Sequence, residues 1–150
     1  MRPGLRESKH GRSLEHMRNM QGAEMSRDRM MATAEKLLHY CREGQEARGL
    51  DELYHPDCVS VEAMAGPDGS RAAQGIDAIR AKHAWWAGAF EMHGGSVEGP
   101  FPHGDDRFAV IFAVDANERA TGKRTSMQEV AIYSVDADGR VIREEFFCGA

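Results

Sequence analysis

Apolar residues recur at helical spacing over the first part of the chain and at strand spacing over the last. Met30, Met31, Ala34, Leu37, Leu38 and Cys41 fall three and four apart, which is one face of a helix. Ser26, with Asp28 behind it, marks an N-cap for that helix, and Gly44 marks its stop. A second, shorter helix fits residues 46–54 and presents Ala47, Leu50, Leu53 and Tyr54. His55-Pro56-Asp57 ends it, because proline pushes the preceding residue out of the helical region. Cys58 to Met64 then alternates as a strand, with Val59 and Val61 on one face and Ser60, Glu62 and Met64 on the other. After a Gly66-Pro67-Asp68-Gly69 loop, a third helix opens at Gly75 and runs to about Phe90. Its stripe is Ile76, Ile79, His83, Trp86 and Phe90.

From there the period changes to two. Gly94 to Pro100 reads as a short strand, Phe108 to Asp115 as a strong one, and Thr125 to Val135 and Val141 to Cys148 as the last two. Residues 117–122 form a turn, and Asp136-Ala137-Asp138-Gly139 forms a hairpin turn in which glycine supplies positive φ. Helices first and consecutive antiparallel strands afterwards predict an α+β domain.

Composition bounds the class. The chain has 150 residues, 41% hydrophobic and 29% charged, enough for one compact domain. Residues 1–25 carry a net charge of +2 and residues 26–150 a net charge of −7. The first segment has few large apolar residues and four Gly or Pro, so it is expected to be a mobile extension of a single domain spanning 26–150. A net charge of −5 leaves no surplus for a basic nucleic-acid face. No apolar run approaches the ~18 residues of a membrane span, and none in the first segment reaches the ~7–15 of a secretory signal, so export is not expected. Three cysteines, Cys41, Cys58 and Cys148, without a C-x-x-C motif read as reduced side chains, which suits a cytoplasmic protein.

The ordered combination of "LDELYHPDCVSVEA", "GIDAIRAKHAWW", "GDDRFAVIFAVD" and "MQEVAIYSVDADGRVIREEFF" resembles the SnoaL-like branch of the nuclear transport factor 2-like superfamily, over roughly residues 28–149. The resemblance implies a cone, in which a curved antiparallel sheet wraps around three helices and encloses a pocket. Ketosteroid isomerases, polyketide cyclases, dehydratases, epoxide hydrolases and many non-enzymes share it, so function has to come from the site.

Strand parity gives Ser60, Glu62 and Met64 one face; turned inward, it puts Glu62 on the pocket wall, and otherwise Glu62 near the strand end simply meets water. The resemblance implies the first, since in the ketosteroid isomerases the general-base carboxylate matches that position. The family pattern also turns Met127, Glu129, Ala131 and Tyr133 inward, which makes Glu129 a second inner carboxylate or a member of a rim salt bridge. The isomerase oxyanion donors match Ala131 and Leu37, neither of which can donate, so steroid isomerisation is not implied. On the last strand Ile142, Glu144, Phe146 and Cys148 share the inner face, with Val141, Arg143, Glu145 and Phe147 outside. A bulge would exchange the two sets. His83 and Trp86 neighbour each other on the third helix. His83 is either an acid/base partner of Glu62 or a hydrogen-bonded core histidine, and Lys82 reaches the rim or solvent.

The candidate catalytic set is therefore Glu62, His83 and Glu129. The candidate pocket lining is Tyr54, Trp86, Phe112, Met127, Tyr133, Glu144 and Phe146. No metal-ligand spacing or phosphate loop occurs, and the chemistry implied requires no cofactor. Two functions remain open. One is an acid/base enzyme of the isomerase, cyclase, dehydratase or hydrolase kind that acts on a mostly apolar small molecule through Glu62. The other is a non-catalytic binding or dimeric scaffold module on the same cone. The expected partners are that small molecule and a second copy of the chain, because Ile111, Val130, Ile132 and Phe147 make the outer sheet face apolar. Nucleic acid and membrane are not expected partners.

Overall fold

The computed structural model describes residues 9–149, with side chains from residue 13 onward. The elements run α1 (Lys9–Arg42), α2 (Glu46–Leu53), β1 (Tyr54–Val61), β2 (Ala72–Gln74), α3 (Ile76–Ala89), β3 (Phe90–His103), β4 (Arg107–Glu118), β5 (Arg124–Val135) and β6 (Val141–Cys148). The six strands form one curved, unclosed sheet in the order β2-β1-β6-β5-β4-β3. Four of its pairings are antiparallel. The β1–β6 pairing is parallel, which makes the sheet mixed.

The predicted core face of α1 packs as the spacing requires. Met30, Ala34, Leu37 and Leu38 are buried against Leu50, Leu53, Ile79, Phe108, Val110, Ala131, Tyr133 and Val141. Thr33 donates a hydrogen bond of 2.6 Å to the Gly139 carbonyl and so ties the β5–β6 hairpin to α1. Gly139 has φ of +82°, and a Cβ there would sit 3.1 Å from the Thr33 hydroxyl, so the turn and its close approach to the helix both require glycine.

Ser26 does not cap a helix. The helix is continuous back to Lys9, and Ser26 lies in its interior. Between Ser13 and Arg29 nearly every side chain is exposed, Leu14, Met17, Met20 and Met25 among them. The remainder of the expected extension, residues 1–8, lies outside the described residues.

The strand parities hold on β4 and β5, where Phe108, Val110, Ala131 and Tyr133 are buried and Ile132 faces out. They change on β6. Val135 pairs with Val141 and Ser134 with Arg143, so Ile142 is an extra residue on β6. This bulge turns Ile142 out to solvent and Val141 in to full burial, the reverse of the simple alternation, and restores Glu144 and Phe146 to the inner face. Met64 also departs from expectation. β1 ends at Val61, and Met64 lies in the following loop, 78% exposed.

Candidate active site

Register stacks the inner face of the sheet into rows. The deepest row is Phe108, Tyr133, Glu144 and Ser60, paired in turn across β4, β5, β6 and β1. The next is Val110, Ala131 and Phe146, and the one beyond is Phe112, Glu129 and Cys148. Burial declines along this series, from a fully enclosed Phe108 to half-buried Phe112 and Glu129. The concave face is therefore sealed at its floor and open at its far end. α3 lies across it, anchored by fully buried Ile79, and presents Lys82, His83 and Trp86 half-buried.

The floor holds a connected polar chain. Glu144 is 1% exposed, and its carboxylate accepts hydrogen bonds from the Tyr54 hydroxyl and, at 2.8 Å, from Ser60 Oγ. Ser60 in turn accepts a hydrogen bond from the Lys82 ammonium, whose Nζ lies 3.6 Å from Glu144 Oε1. A carboxylate this deep persists because donors and a cation meet both of its oxygens. Burial first, and then the Glu144 charge, hold the Tyr54 and Tyr133 hydroxyls well above the ordinary tyrosine range, so both remain protonated donors.

From this floor Lys82 reaches up to the open part of the site. Its Nζ pairs with Glu62 Oε1 at 2.7 Å and lies 5.1 Å from the Phe146 ring centroid. Glu62 follows the last residue of β1. Its backbone is fixed by Arg71, whose carbonyl accepts from the Glu62 N–H at 2.7 Å and whose Nε donates to the Glu62 carbonyl at 2.9 Å. Its side chain is 26% exposed, against 14% for Lys82.

Glu129 has a different environment. Phe112 and Cys148 flank it in register, and no side chain among the described residues donates a hydrogen bond to it or forms an ion pair with it. Loss of water and then the nearby Glu62 charge push its carboxyl group up to about 7, against a smaller opposing pull from Lys82. His83 moves the other way, since burial pulls its imidazole below the ordinary histidine range and favours the neutral ring. Trp86 stacks on Phe90 with centroids 4.5 Å apart, and these rings form an apolar wall.

The fold thus brings Glu62, Glu129, Phe112, Met127 and Phe146 to the half-buried part of the concave face, while Trp86 is half-buried on α3 against Phe90. Tyr54, Tyr133 and Glu144 are placed beneath that part of the face, in the floor. The residue facing Glu62 is Lys82 and not His83. Sequence reading left Lys82 between rim and solvent and gave Ser60 no role. The signal that could have found them is the shared parity of Ser60 and Glu62 on a strand flanking a helix with a single lysine on its inner side. Among the described residues, no three His, Cys, Asp or Glu side chains are grouped so as to hold a metal ion, and no helix is long and apolar enough to cross a membrane.

Known proteins show the same frame. Residues 28–148 match the SnoaL-like domain family. A candidate SnoaL-like polyketide cyclase from Mesorhizobium loti is 37% identical, with a TM-score of 0.72 over 78% of this chain and 97% of its own. A mycobacterial Δ5-3-ketosteroid isomerase has a TM-score of 0.57 at 19% identity, over 79% of this chain and 92% of its own. A Mycobacterium tuberculosis protein solved with estradiol-17β-hemisuccinate has a TM-score of 0.63 at 18% identity, over the same shares. Comparison with curated protein sequences returns no match. By its sequence and by the cone that its sheet and helices form, the chain belongs to the SnoaL-like domain family of the nuclear transport factor 2-like fold.

Proposed function

We propose that the concave face is a cofactor-free acid/base site for a mostly apolar small molecule, with Glu62 as the group that takes the proton. One observation carries this reading. Two carboxyl groups, Glu62 and Glu129, share one half-buried face under unlike conditions, the first paired with an ammonium and the second desolvated and pushed up to about 7. Two carboxyl groups whose environments separate their protonation states are suited to act as base and acid in one reaction. Glu62, as the paired carboxylate, abstracts a proton from carbon next to a carbonyl. Glu129, part-protonated near neutrality, returns a proton to the product or holds the substrate oxygen. His83, neutral behind them, is a tuner of that pair. Trp86, Phe112, Met127 and Phe146 supply the apolar wall, which fits a substrate with few polar groups. The steroid bound by the mycobacterial neighbour is a ligand of that kind.

The test is hydrogen–deuterium exchange at carbon next to the carbonyl, followed by NMR for a panel of apolar ketones in heavy water. The protein is expected to accelerate exchange for at least one of them, and Glu62→Gln to remove about 10²–10⁴-fold of that acceleration while leaving ligand affinity mostly intact. Ligand binding without exchange for any member of the panel would instead favour a binding module on the same cone. The reading also includes a reducing compartment, in keeping with three free cysteines, and a homodimer formed through the outer sheet face.

A further inference from the structure

We propose that Lys82 is the oxyanion donor of this site, passing its ammonium from the Glu62 carboxylate to the substrate oxygen as the proton moves. The proposal rests on the proton-abstraction reading above and adds what stabilises the negative charge.

Abstraction next to a carbonyl needs such a group. The C–H bond breaks and its proton goes to Glu62. The bonding pair forms the C=C bond of an enolate, and the carbonyl π pair moves onto oxygen. Glu62 becomes a neutral acid as that oxygen becomes an anion. Charge has moved across the site, and a donor must stand within reach of both ends.

The positions from which related isomerases would donate carry Leu37 and Ala131, both buried and apolar. Of the other floor hydroxyls, Tyr54 and Ser60 both donate to Glu144, and Tyr133 is enclosed beneath the cleft at 2% exposure. Lys82 is held differently: Ser60 accepts a hydrogen bond from one of its three N–H groups, and the Glu62 carboxylate stands within hydrogen-bond reach of the same ammonium, so a substrate oxygen would take the place of Glu62. Its Nζ pairs with Glu62 at 2.7 Å, retains partial exposure at the open end, and lies over Phe146. The contact with Glu62 is the one that proton transfer would weaken, because a protonated Glu62 no longer attracts a cation. Ser60 is the hinge of the arrangement. It accepts from Lys82 and donates to buried Glu144, so the lysine is anchored to the floor from below while its head group serves the cleft. Ser60 and Glu144 are thus positioning residues.

The arrangement makes a charge-specific prediction. Wild-type protein, with Glu62 as carboxylate, prefers a neutral ligand oxygen. Glu62→Gln, which resembles the protonated base, prefers an anionic one. Para-nitrophenol reports the difference by colour, since its phenolate has a planar delocalised oxyanion like an enolate. Bound to Glu62→Gln, its apparent pKa is expected to fall about one unit below that of the free probe, a tenfold preference for the phenolate. Bound to wild type, no such fall is expected. In Glu62→Gln/Lys82→Met, which removes both charges of the pair and keeps an apolar chain over Phe146, the preference is expected to vanish. An unchanged preference in that double variant, or none in Glu62→Gln itself, would overturn the proposal. The second measurement leaves Lys82 in place: its ammonium resonance in Glu62→Gln is expected to move on addition of the probe, and a resonance that stays put would overturn the proposal equally. These outcomes are separate from ketone exchange. Exchange that survives Glu62→Gln removes the base, whereas exchange lost in Glu62→Gln with phenolate binding indifferent to Lys82 removes only the present inference.

Discussion

Glu129 combines a carboxyl group with an apolar surround, and that combination has a consequence for stability as well as for chemistry. Its folded-state value is raised from the ordinary 4.5 to about 7. The folded protein therefore holds a proton that the unfolded chain has already released in that window. Stability must fall as pH rises through it, and the cost is complete above about 7. Glu129→Gln removes the cost. Relative to wild type it is expected to be near neutral at about pH 4 and to gain about 2 kcal/mol at about pH 9, a figure reduced for partial exposure. Urea denaturation at the two pH values checks this, and an equal effect at both would show that the shift is absent. His83 acts at the other limit. Its depressed value means that acidification through the ordinary histidine range protonates the unfolded chain first, and stability falls with it. The shared parity of Ser60 and Glu62, both of which meet Lys82, was legible in the sequence, because β-strand alternation is a local property. The Lys82–Ser60–Glu144 chain was not, because it joins α3, β1 and β6, whose approach depends on the parallel β1–β6 pairing.

Periodicity set the bounds of β6 and α3, whereas β1 runs Tyr54–Val61 in place of the expected Cys58–Met64 and β3 runs Phe90–His103 in place of the expected Gly94–Pro100. Val141–Cys148 and the helix opening at Gly75 were readable to within a residue, because each has an apolar face that meets the core. β2 was not foreseen, since three residues edging β1 are too few to show a period. The exchange of Val141 and Ile142 depends on a bulge that no side-chain pattern records. The upstream part of α1 has no such face, and Leu14, Met17, Met20 and Met25 are all exposed. It makes little contribution to the core, so a chain beginning at Met25 is expected to melt within a few degrees of the full one. A large fall in melting temperature would show that the upstream turns dock on the body. At the centre of α3, Ile79 is fully buried against the core. Ile79→Ala is expected to cost about 2–5 kcal/mol and to loosen Lys82 with it. A change below about 1 kcal/mol in chemical denaturation would mean that α3 is not fastened there.

The sheet has an outer and an inner face. Outside, Ile132 and Phe147 are exposed at 36% and 46%, with half-buried Ile111 and Val130 beside them, on a sheet that is apolar on both sides. A homodimer through this face is the expected state at micromolar concentration, and Ile132→Asp is expected to yield monomer or aggregate. Sedimentation of the wild-type chain as a monomer would contradict it. Inside, the order of elements was enough for an α+β domain and the family resemblance for a cone, whereas the depth of the cone was not legible. Tyr54, Tyr133 and Glu144 look like pocket lining in a strand diagram, yet the curvature of the sheet places them under α1 and α3. Glu62 and Glu129 lie above them, both half-buried, and the proposed site is there. The titration of the Glu129 side-chain carboxyl, followed by carbon-detected NMR in wild type and in Glu62→Gln, tests that shared site most directly. Glu129 is expected to titrate at about 7 in the wild type and distinctly lower in Glu62→Gln, because the Glu62 charge is one of the causes holding it up. A Glu129 that titrates in the ordinary carboxylate range, or that does not respond to Glu62→Gln, would contradict it.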